Sequence, residues 1–352
     1  MNFTTNTWDS LSMFYSASTT QNYLHTYYMR DSLPDSKIKS FQNAPVFIHY
    51  LKSAEIYYKE ANLVSLEIQP VLLFYGYIQL IKACLLSLDP YYPSSSTLLA
   101  HGVTTRKRKK QQYEFLQDEI KIQRNGLFSY MSSKMFHVKH LDGEKLLMKD
   151  LFFCLPELAE QFQYFFQGNC YLLHKHSNVQ YSTMGKCLDD YHMPAERLAS
   201  YLNSHFHISI ACTEEREHLI FQLDEPLTTN YHQPFHFDSG LKQFTIINKQ
   251  DTLPFKLNEM LVHYLLLYNL SMIARYETEW WMDLTSTTPN EDYPFIKKFI
   301  NVTLNKGPLL IKEWLFGERD YLYRHNYQKA IEFFLKSFLD CTFEGTSFGG
   351  LI

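Results

Sequence analysis

Five consecutive cations, Arg106 to Lys110, lie in the segment LAHGVTTRKRKKQQ at residues 98–111. Guanidinium and ammonium groups bind phosphate and carboxylate groups through charge-assisted hydrogen bonds. Because alternate side chains of an extended segment point to opposite sides, roughly two or three of these cations can converge on one phosphate group. A solvated loop without a ligand is the alternative interpretation. The residues that we expect to bind phosphate or acidic side chains here are Arg106, Lys107 and Arg108, joined by His101 and Arg124.

A second candidate lies in IQPVLLFYGYIQLIKACLLSL at residues 68–88, which is apolar almost all round and predicts a buried helix. Its residues Gly76, Gln79 and Lys82 recur every three positions and predict a narrow polar stripe. Burying a lysine without a partner costs on the order of several kcal/mol, so Lys82 either reaches solvent or meets an anion. We expect Gln79 and Lys82 to form one wall of an anion-binding cleft. The alternative is a lysine that reaches solvent beside a glycine that admits a neighbouring helix.

A third candidate is the segment RYETEWW at residues 275–281, which ends the most apolar stretch of the C-terminal part. Arg275 and Glu279 are four residues apart, a spacing that allows an ion pair on one helix. Trp280 adds a large flat surface, and arginine and tryptophan dominate the energetics of many interfaces. We expect Arg275, Glu279 and Trp280 to hold a nucleobase or a partner helix. A helix end that is tied to its own protein is the alternative.

The common catalytic and phosphate-binding motifs are absent from the sequence. It contains no GxxxxGKS/T and no GxGxxG after a strand, which are frequent phosphate cradles, and no zinc-binding HExxH. The sequence GTSFG at residues 345–349 fits GxSxG, but a nucleophile elbow needs Asp and His further along the chain, and only three residues follow. Closely spaced histidines such as His174 and His176 lack the thiolates or carboxylates of a zinc site. The sequence therefore predicts no catalytic residue, no cofactor and no metal site.

Composition limits the class of partner and the compartment. The net charge is −4, whereas a protein that grips duplex DNA ordinarily carries a basic excess. Nucleic acid binding is therefore not expected, and RNA binding through the basic run is only a further alternative. The longest apolar stretch, at residues 260–274, is interrupted by polar side chains and is shorter than the roughly 20 residues of a membrane span. With no signal-peptide pattern and six cysteines without a CxxC pair, the chain is predicted to be cytoplasmic, with reduced thiols and no membrane partner.

These candidates must be positioned by a predominantly helical α+β fold. Helical spacing runs from residue 8 to 88 and again from 257, and each part has one helix too apolar to face water, so the two parts are predicted to pack together. Between them, EIKIQ, CYLLHKH, FHISIAC, HLIFQL and QFTII predict short antiparallel strands. We expect a helical N-terminal part at residues 1–112, a mixed α/β middle at 113–250 and a helical C-terminal part at 251–352.

Two local predictions concern breaks between elements. The dipeptide NG at residues 125–126 predicts a tight turn after the EIKIQ strand. In the last part, DYPFIKKFINVTL and PLLIKEWLF are predicted as successive helices.

Three segments resemble the YaaC family of bacilli and related Firmicutes. They are LLFYGYIQLIKACLL, the stretch from LAHGV to KMFH at residues 98–137, and LLLYNLSMIARYETEWW. The similarity extends along the full chain and is most specific at residues 98–137. The resemblance implies a bacterial cytosolic protein and carries no catalytic residues over to this chain. Genes of the family in bacilli tend to lie beside the gene for IMP dehydrogenase, which implies a link to purine metabolism.

The first functional hypothesis is a non-catalytic regulatory protein that binds a partner protein, with a purine nucleotide as signal and IMP dehydrogenase as a candidate partner. The alternative is an enzyme or binder that acts on a nucleotide or another phosphorylated small molecule, with Gln79, Lys82 and His101 lining the site. In that case His101 is the candidate general acid or base.

Overall fold

The computed structural model describes residues 3–30, 33–105, 113–168, 170–206, 208–227, 234–247 and 257–318. Of these residues 61% are helical and 14% lie in strands. The strands form small antiparallel sheets in the middle of the chain. The prediction of a predominantly helical α+β fold is therefore confirmed.

The N-terminal part consists of four helices, α1 (Phe3–Ser12), α2 (Ala17–Arg30), α3 (Ser36–Ala61) and α4 (Gln69–Leu88), with 3-10 turns at Met13–Tyr15 and Ser96–Leu99. The segment predicted as a buried helix is α4. Its Pro70 lies in the first turn, where a missing N–H costs no helical hydrogen bond. Helix α3 approaches α4 closely at Gly76, where a Cβ would lie 2.9 Å from side-chain atoms of both Tyr57 and Tyr58. The close contact of these two helices thus depends on a residue without a side chain.

A three-stranded sheet joins the end of the N-terminal part to the first half of the middle region, which also holds three short helices. The elements are β1 (Val103–Thr105), β2 (Glu119–Ile122), α5 (Leu127–Phe136), β3 (Lys145–Leu147), α6 (Met148–Phe153) and α7 (Ala159–Phe166), with 3-10 turns at Phe115–Gln117 and Pro156–Leu158. The strand order is β1-β2-β3, and both pairs are antiparallel. Ile122 is paired with Val103 and Ile120 with Leu146, and all four side chains are buried. The predicted EIKIQ strand is confirmed as β2. The chain does turn at Gly126, but it turns into α5 rather than into a second strand.

The second half of the middle region carries two further sheets. Its elements are β4 (Cys170–Leu172), β5 (His174–Lys175), β6 (Gln180–Met184), α8 (Cys187–Tyr191), α9 (Ala195–Phe206), β7 (Ile210–Glu215), β8 (His218–Leu223), β9 (Phe235–Asp238) and β10 (Gln243–Ile247). One sheet has the order β4-β10-β9 and the other β5-β6-β8-β7, with all neighbours antiparallel. Strands β7 and β8 form a hairpin that turns at Arg216, whose φ is +57°.

The C-terminal part, over its described residues 257–318, consists of three helices, α10 (Glu259–Tyr276), α11 (Thr278–Thr287) and α12 (Asp292–Glu313), and α12 continues into a π-helical turn at Trp314–Glu318. Helix α10 packs on α4. The Tyr77 hydroxyl donates to the Met260 carbonyl at 2.9 Å, and the rings of Phe74 and Tyr264 meet edge to face with centroids 5.6 Å apart. The predicted packing of the two helical parts is confirmed.

The buried apolar side chains of the described residues form two cores. The larger core unites the N-terminal and C-terminal helices with the first half of the middle region, including Phe115 and Phe162. The smaller core lies between the sheets and helices of residues 171–246 and includes Leu198 and Phe221. The predicted middle region thus contributes to both cores.

A buried ion-pair network joins the smaller sheet unit to the helices. The Lys306 amine of α12 lies 2.8 Å from Glu157 Oε1 and 2.5 Å from Glu259 Oε1, and it donates to the Phe237 carbonyl of β9 at 2.7 Å. Ser239 also contacts this network, because its N–H and hydroxyl both donate to Glu157, and the His263 Nε2 lies 3.5 Å from Glu259 Oε1. One lysine therefore connects a strand and two helices.

The two predicted successive helices DYPFIKKFINVTL and PLLIKEWLF are one continuous helix, α12, with Pro308 inside it. A proline in a helix interior removes a hydrogen bond and ordinarily ends or kinks the helix. Here tertiary contacts hold the two residues before Pro308, which are Lys306 and Gly307. A Cβ at Gly307 would lie 2.5 Å from the Tyr58 hydroxyl oxygen, and Lys306 is fixed by its two carboxylate partners. Contacts that are distant in the sequence therefore override the local break signal.

Among the described residues one helix, α4, is long and apolar enough to cross a membrane by length and composition. In its most apolar window 67% of the residues are buried inside the protein. That burial is the setting of a core helix, as the sequence predicted.

Candidate functional site

Two glycines fix the position of His101 by letting two backbones touch. Gly102 (φ +78°) and Gly126 (φ +127°) adopt conformations that residues with a side chain rarely take. A Cβ at Gly126 would lie 2.4 Å from both Cα and N of Gly102. Beside this contact, the Phe128 N–H in the first turn of α5 donates to the His101 carbonyl at 3.1 Å, and the Tyr264 hydroxyl donates to the same oxygen at 2.9 Å. Because first-turn N–H groups have no partner in their own helix, this carbonyl caps α5 and is itself held in place.

The His101 imidazole lies among aromatic rings and is largely shielded from water. Its ring centroid is 5.1 Å from that of Phe74 and 5.5 Å from that of Tyr268. Nδ1 is buried and has no hydrogen-bond partner in the described part of the chain. Burial lowers the pKa of His101, and the positive charges of Arg275 and Lys82 lower it further. The ring is therefore neutral at pH 7, with a buried nitrogen that lacks a protein partner.

Lys82 lies on α4, half-buried, with its amine 5.8 Å from the centre of the Tyr50 ring. Burial lowers the pKa of this amine, and no ion pair joins it to any described residue. Gln79 is half-buried one turn earlier, but Gly76 is buried against α3. Gly76 therefore corresponds to the alternative of a glycine that admits a neighbouring helix.

Arg275 lies in the last turn of α10 and makes three side-chain contacts. Its Nε donates to the Ser271 carbonyl at 2.9 Å, one terminal nitrogen donates to the Tyr75 hydroxyl at 3.0 Å, and the other contacts Met272 Sδ at 3.3 Å. The guanidinium also lies 5.6 Å from the centre of the Tyr75 ring and 5.2 Å from that of Tyr276. All of these partners are uncharged, so its positive charge is not neutralised by a contact in the described chain.

The predicted ion pair between Arg275 and Glu279 is not formed in the described chain. Helix α10 ends at Tyr276 and α11 begins at Thr278, so the two side chains do not share the helix that a spacing of four requires. Trp280 is tied to its own protein: its Nε1 donates to the Tyr113 carbonyl at 3.1 Å. The placement of Trp280 thus corresponds to the alternative of an anchored helix end.

The basic cluster is our name for Lys82, His101 and Arg275. Lys82 lies on α4, His101 in the segment before β1 and Arg275 at the end of α10. Both cations lower the pKa of the imidazole, and neither pairs with a carboxylate among the described residues. Half-buried cations without counter-charges favour binding of an anion, because an anion offsets their partial loss of hydration. The arrangement suits a phosphate or carboxylate group.

The structure does not bring Arg124 to the basic cluster. Arg124 is exposed and lines a separate cavity of about 390 Å³ between α5 and the loop that follows it. Arg106, Lys107 and Arg108 lie outside the described residues, in the segment that follows β1.

Neither Tyr75 nor the buried ion-pair network of Lys306 is among the residues singled out from the sequence. Tyr75 precedes Gln79 by four positions, the spacing that puts side chains on one helix face, so it could have been found in the sequence. The buried group of Glu157, Glu259 and Lys306 has no such signal, because its members are far apart in the chain.

Comparison with known proteins gives one match. A family model described as YaaC-like Protein matches residues 12–315. No curated protein matches the chain. No solved structure matches it either.

Proposed function

The chain belongs to the YaaC-like protein family, and we propose that it is a cytosolic, non-catalytic regulatory protein that binds a phosphate-bearing ligand through the basic cluster. The observation that carries this proposal is that two cations, Lys82 and Arg275, act on a shielded imidazole without a neutralising carboxylate among the described residues. A phosphate monoester is the natural counterpart, because its oxygens accept from an arginine, a lysine and a protonated histidine at once.

The ligand proposed is a purine nucleotide. The resemblance to a family whose genes lie beside that for IMP dehydrogenase supports a purine, and the phosphate supplies the negative charge that the basic cluster needs. The Tyr75 hydroxyl beside the cluster accepts from Arg275, and the Tyr75 ring itself stacks on Tyr57 with centroids 6.2 Å apart.

Lack of an orienting partner for His101 supports a binding role over a catalytic one. A catalytic histidine ordinarily has a nucleophile or a carboxylate in hydrogen-bond contact with its ring. In the described chain no side chain makes such a bond to His101, and its Nδ1 has no partner. The alternative of an enzyme that acts on the same nucleotide differs in one observable, which is turnover of the bound ligand.

A thermal-shift experiment tests the ligand. IMP, GMP and AMP are compared with the corresponding nucleosides, which share the base and ribose but lack the phosphate. We expect at least one nucleotide to raise the melting temperature while its nucleoside does not, because only the phosphate meets the basic cluster. Equal stabilisation by nucleoside and nucleotide, or none by any nucleotide, would contradict the proposal. Conversion of the stabilising nucleotide during incubation would favour the enzyme instead.

The protein partner is proposed to be bound through the basic run, with IMP dehydrogenase as the candidate. Its test is a pull-down in which Arg106 and Arg108 are both replaced by glutamate. We expect the variant to lose the partner while its melting temperature stays close to that of the wild type. Unaltered capture of the partner by this variant would count against a role for the run.

A further inference from the structure

We infer that α5 and the loop behind it form a second anion site, which takes the phosphate ester of a small hydrophilic molecule. The site is the cavity of about 390 Å³ that Arg124 lines, here called the α5 cavity. Lys139 and His140 line it together with Arg124, and Ser133 lines it from α5. None of the residues of the basic cluster lines this cavity.

Charge is the first argument. Among the lining residues the cations Arg124 and Lys139 stand against one carboxylate, Asp142, and His140 adds a positive charge when protonated. Neither Arg124 nor Lys139 forms an ion pair with a described residue. A planar guanidinium and a lysine amine that line one cavity match the oxygens of a phosphate group, which accepts several charge-assisted hydrogen bonds.

A second argument comes from the hydroxyl groups of the cavity. Two of the three lining serines donate to carbonyls of their own chain, Ser129 to Gln123 and Ser132 to Val138. The third, Ser133, is half-buried and makes no side-chain hydrogen bond with a described residue. A hydroxyl in that state is an available donor for a ligand oxygen.

The third argument is that the walls are held in shape by backbone contacts. Val138 N donates to the Ser132 carbonyl at 3.1 Å, and Gly143 N donates to the Ile122 carbonyl at 3.0 Å, so both ends of the loop are anchored. Between the anchors, His140 adopts a left-handed conformation with φ +63°, which is costly for a residue with a side chain. Such conformations cluster at ligand sites, where the surrounding structure holds them. Lys139 and His140 are thus presented by a fixed loop.

Size and polarity define the ligand class. A volume of about 390 Å³ lies within the roughly 300–1,000 Å³ typical of small-molecule sites and exceeds what a lone phosphate needs. The lining is mainly serine, amide and charged side chains, with Val138 and Leu141 as its apolar members. A phosphorylated sugar or polyol fits these walls better than an aromatic ring does.

Calorimetric titration of the full chain tests the α5 cavity, with ribose 5-phosphate, ribose and inorganic phosphate as probes. The variants are Arg124→Ala and Lys139→Ala, and Lys134→Ala is the matched control. Lys134 is an exposed lysine of the same helix that does not line the cavity. Because Arg124 and Lys139 are exposed and unpaired in the described chain, both variants should keep the wild-type melting temperature.

We expect ribose 5-phosphate to bind the wild type more tightly than inorganic phosphate, and ribose not to bind. Arg124→Ala and Lys139→Ala should each weaken the binding by about tenfold or more, whereas Lys134→Ala and Lys82→Ala should leave it unchanged. Absence of binding at about 10 mM probe, or binding that survives in both cavity variants, would overturn the site. Inorganic phosphate binding as tightly as the ester would overturn the assignment to an ester. Loss of binding in Lys82→Ala alone would move the ligand to the basic cluster.

Discussion

Gly102 and Gly126 meet backbone to backbone, and a Cβ on Gly126 would lie 2.4 Å from the Gly102 Cα. This contact joins the segment that carries His101 to the entry of α5. The geometry of the basic cluster therefore depends on Gly126, which is not itself a member of the cluster.

Gly126→Ala should therefore destabilise the protein and weaken nucleotide binding together. The new methyl group collides with a backbone, and alanine must also adopt φ +127°. We expect a loss of about 2–3 kcal/mol in the free energy of unfolding, measured by chemical denaturation. Gly143→Ala is the matched control, because Gly143 has φ +86° but open space around its Cβ position, so only the cost of its conformation, about 1 kcal/mol, remains. Equal losses in the two variants would show that the backbone contact contributes nothing.

Lys306→Met should be among the most damaging single substitutions. It leaves the buried carboxylates of Glu157 and Glu259 without their cation, and breaking a buried ion pair on one side costs about 3–5 kcal/mol. Lys312→Met on the same helix removes only a partly exposed pair with Glu313 and should cost less than about 1 kcal/mol. Denaturant titration of both variants checks this. Similar stability of the two would show that the network is not a main connection between the sheet unit and the helices.

His236 should make the fold sensitive to mild acid. Burial lowers the pKa of His236 to about 4, with the positive charge of Lys306 adding to the effect and Glu259 opposing it. In the unfolded chain this pKa is about 6.5, so the unfolded state binds the proton first. The free energy of unfolding therefore keeps its full value above pH 6.5. It falls as the pH falls towards 4, by about 3 kcal/mol at most, because the unfolded state takes up the proton first.

The measurement is the free energy of unfolding between pH 7 and pH 4.5 for the wild type and for His236→Gln. The variant should show a smaller loss over this range, because its side chain does not titrate. His218→Gln, at an exposed histidine, is the control and should follow the wild type. Identical slopes for His236→Gln and the wild type would refute the role of His236.

Ligand binding at the basic cluster should take up a proton at His101. Burial and two neighbouring cations lower its pKa, so the free protein holds a neutral ring at pH 7. A bound phosphate dianion favours the imidazolium and raises that pKa. Affinity for GMP should therefore rise as the pH falls from about 8 to about 7, a range above the second phosphate pKa of about 6. Calorimetry in buffers of different ionisation enthalpy should detect proton uptake in the wild type and not in His101→Gln; equal uptake in both would exclude His101 as the acceptor.

The sequence predicts the parts of this protein that depend on local pattern. Helices α4 and α10 are apolar on nearly every side, and a helix with that composition must be buried, which is what α4 shows. The hairpin of β7 and β8 follows from alternation on both sides of a short charged turn. Each of these elements can be predicted from residues that are neighbours in the sequence.

Features set by distant contacts could not be predicted in the same way. The break after Tyr276 separates Arg275 from Glu279 and turns the arginine towards Tyr75 instead. Helix α12 continues through Pro308 because Gly307 meets Tyr58 from α3. The basic cluster combines positions that no sequence spacing connects: from the sequence, Lys82 and His101 are predicted in one site only under the enzyme alternative, and Arg275 is not predicted to join them.

The proposed function depends most on Lys82, whose amine has no counter-charge among the described residues. We propose that the phosphate of a bound nucleotide supplies that charge. Calorimetric titration of GMP into the wild type, Lys82→Ala and Lys52→Ala tests it directly. Lys52 is the matched control, because its amine also lies over a tyrosine ring, 5.2 Å from the centre of Tyr15, but away from His101. We expect Lys82→Ala to weaken binding by about tenfold or more, the loss of one hydrogen bond to a charged group, and Lys52→Ala to bind like the wild type. Equal affinity in Lys82→Ala and the wild type would contradict a phosphate site at the basic cluster.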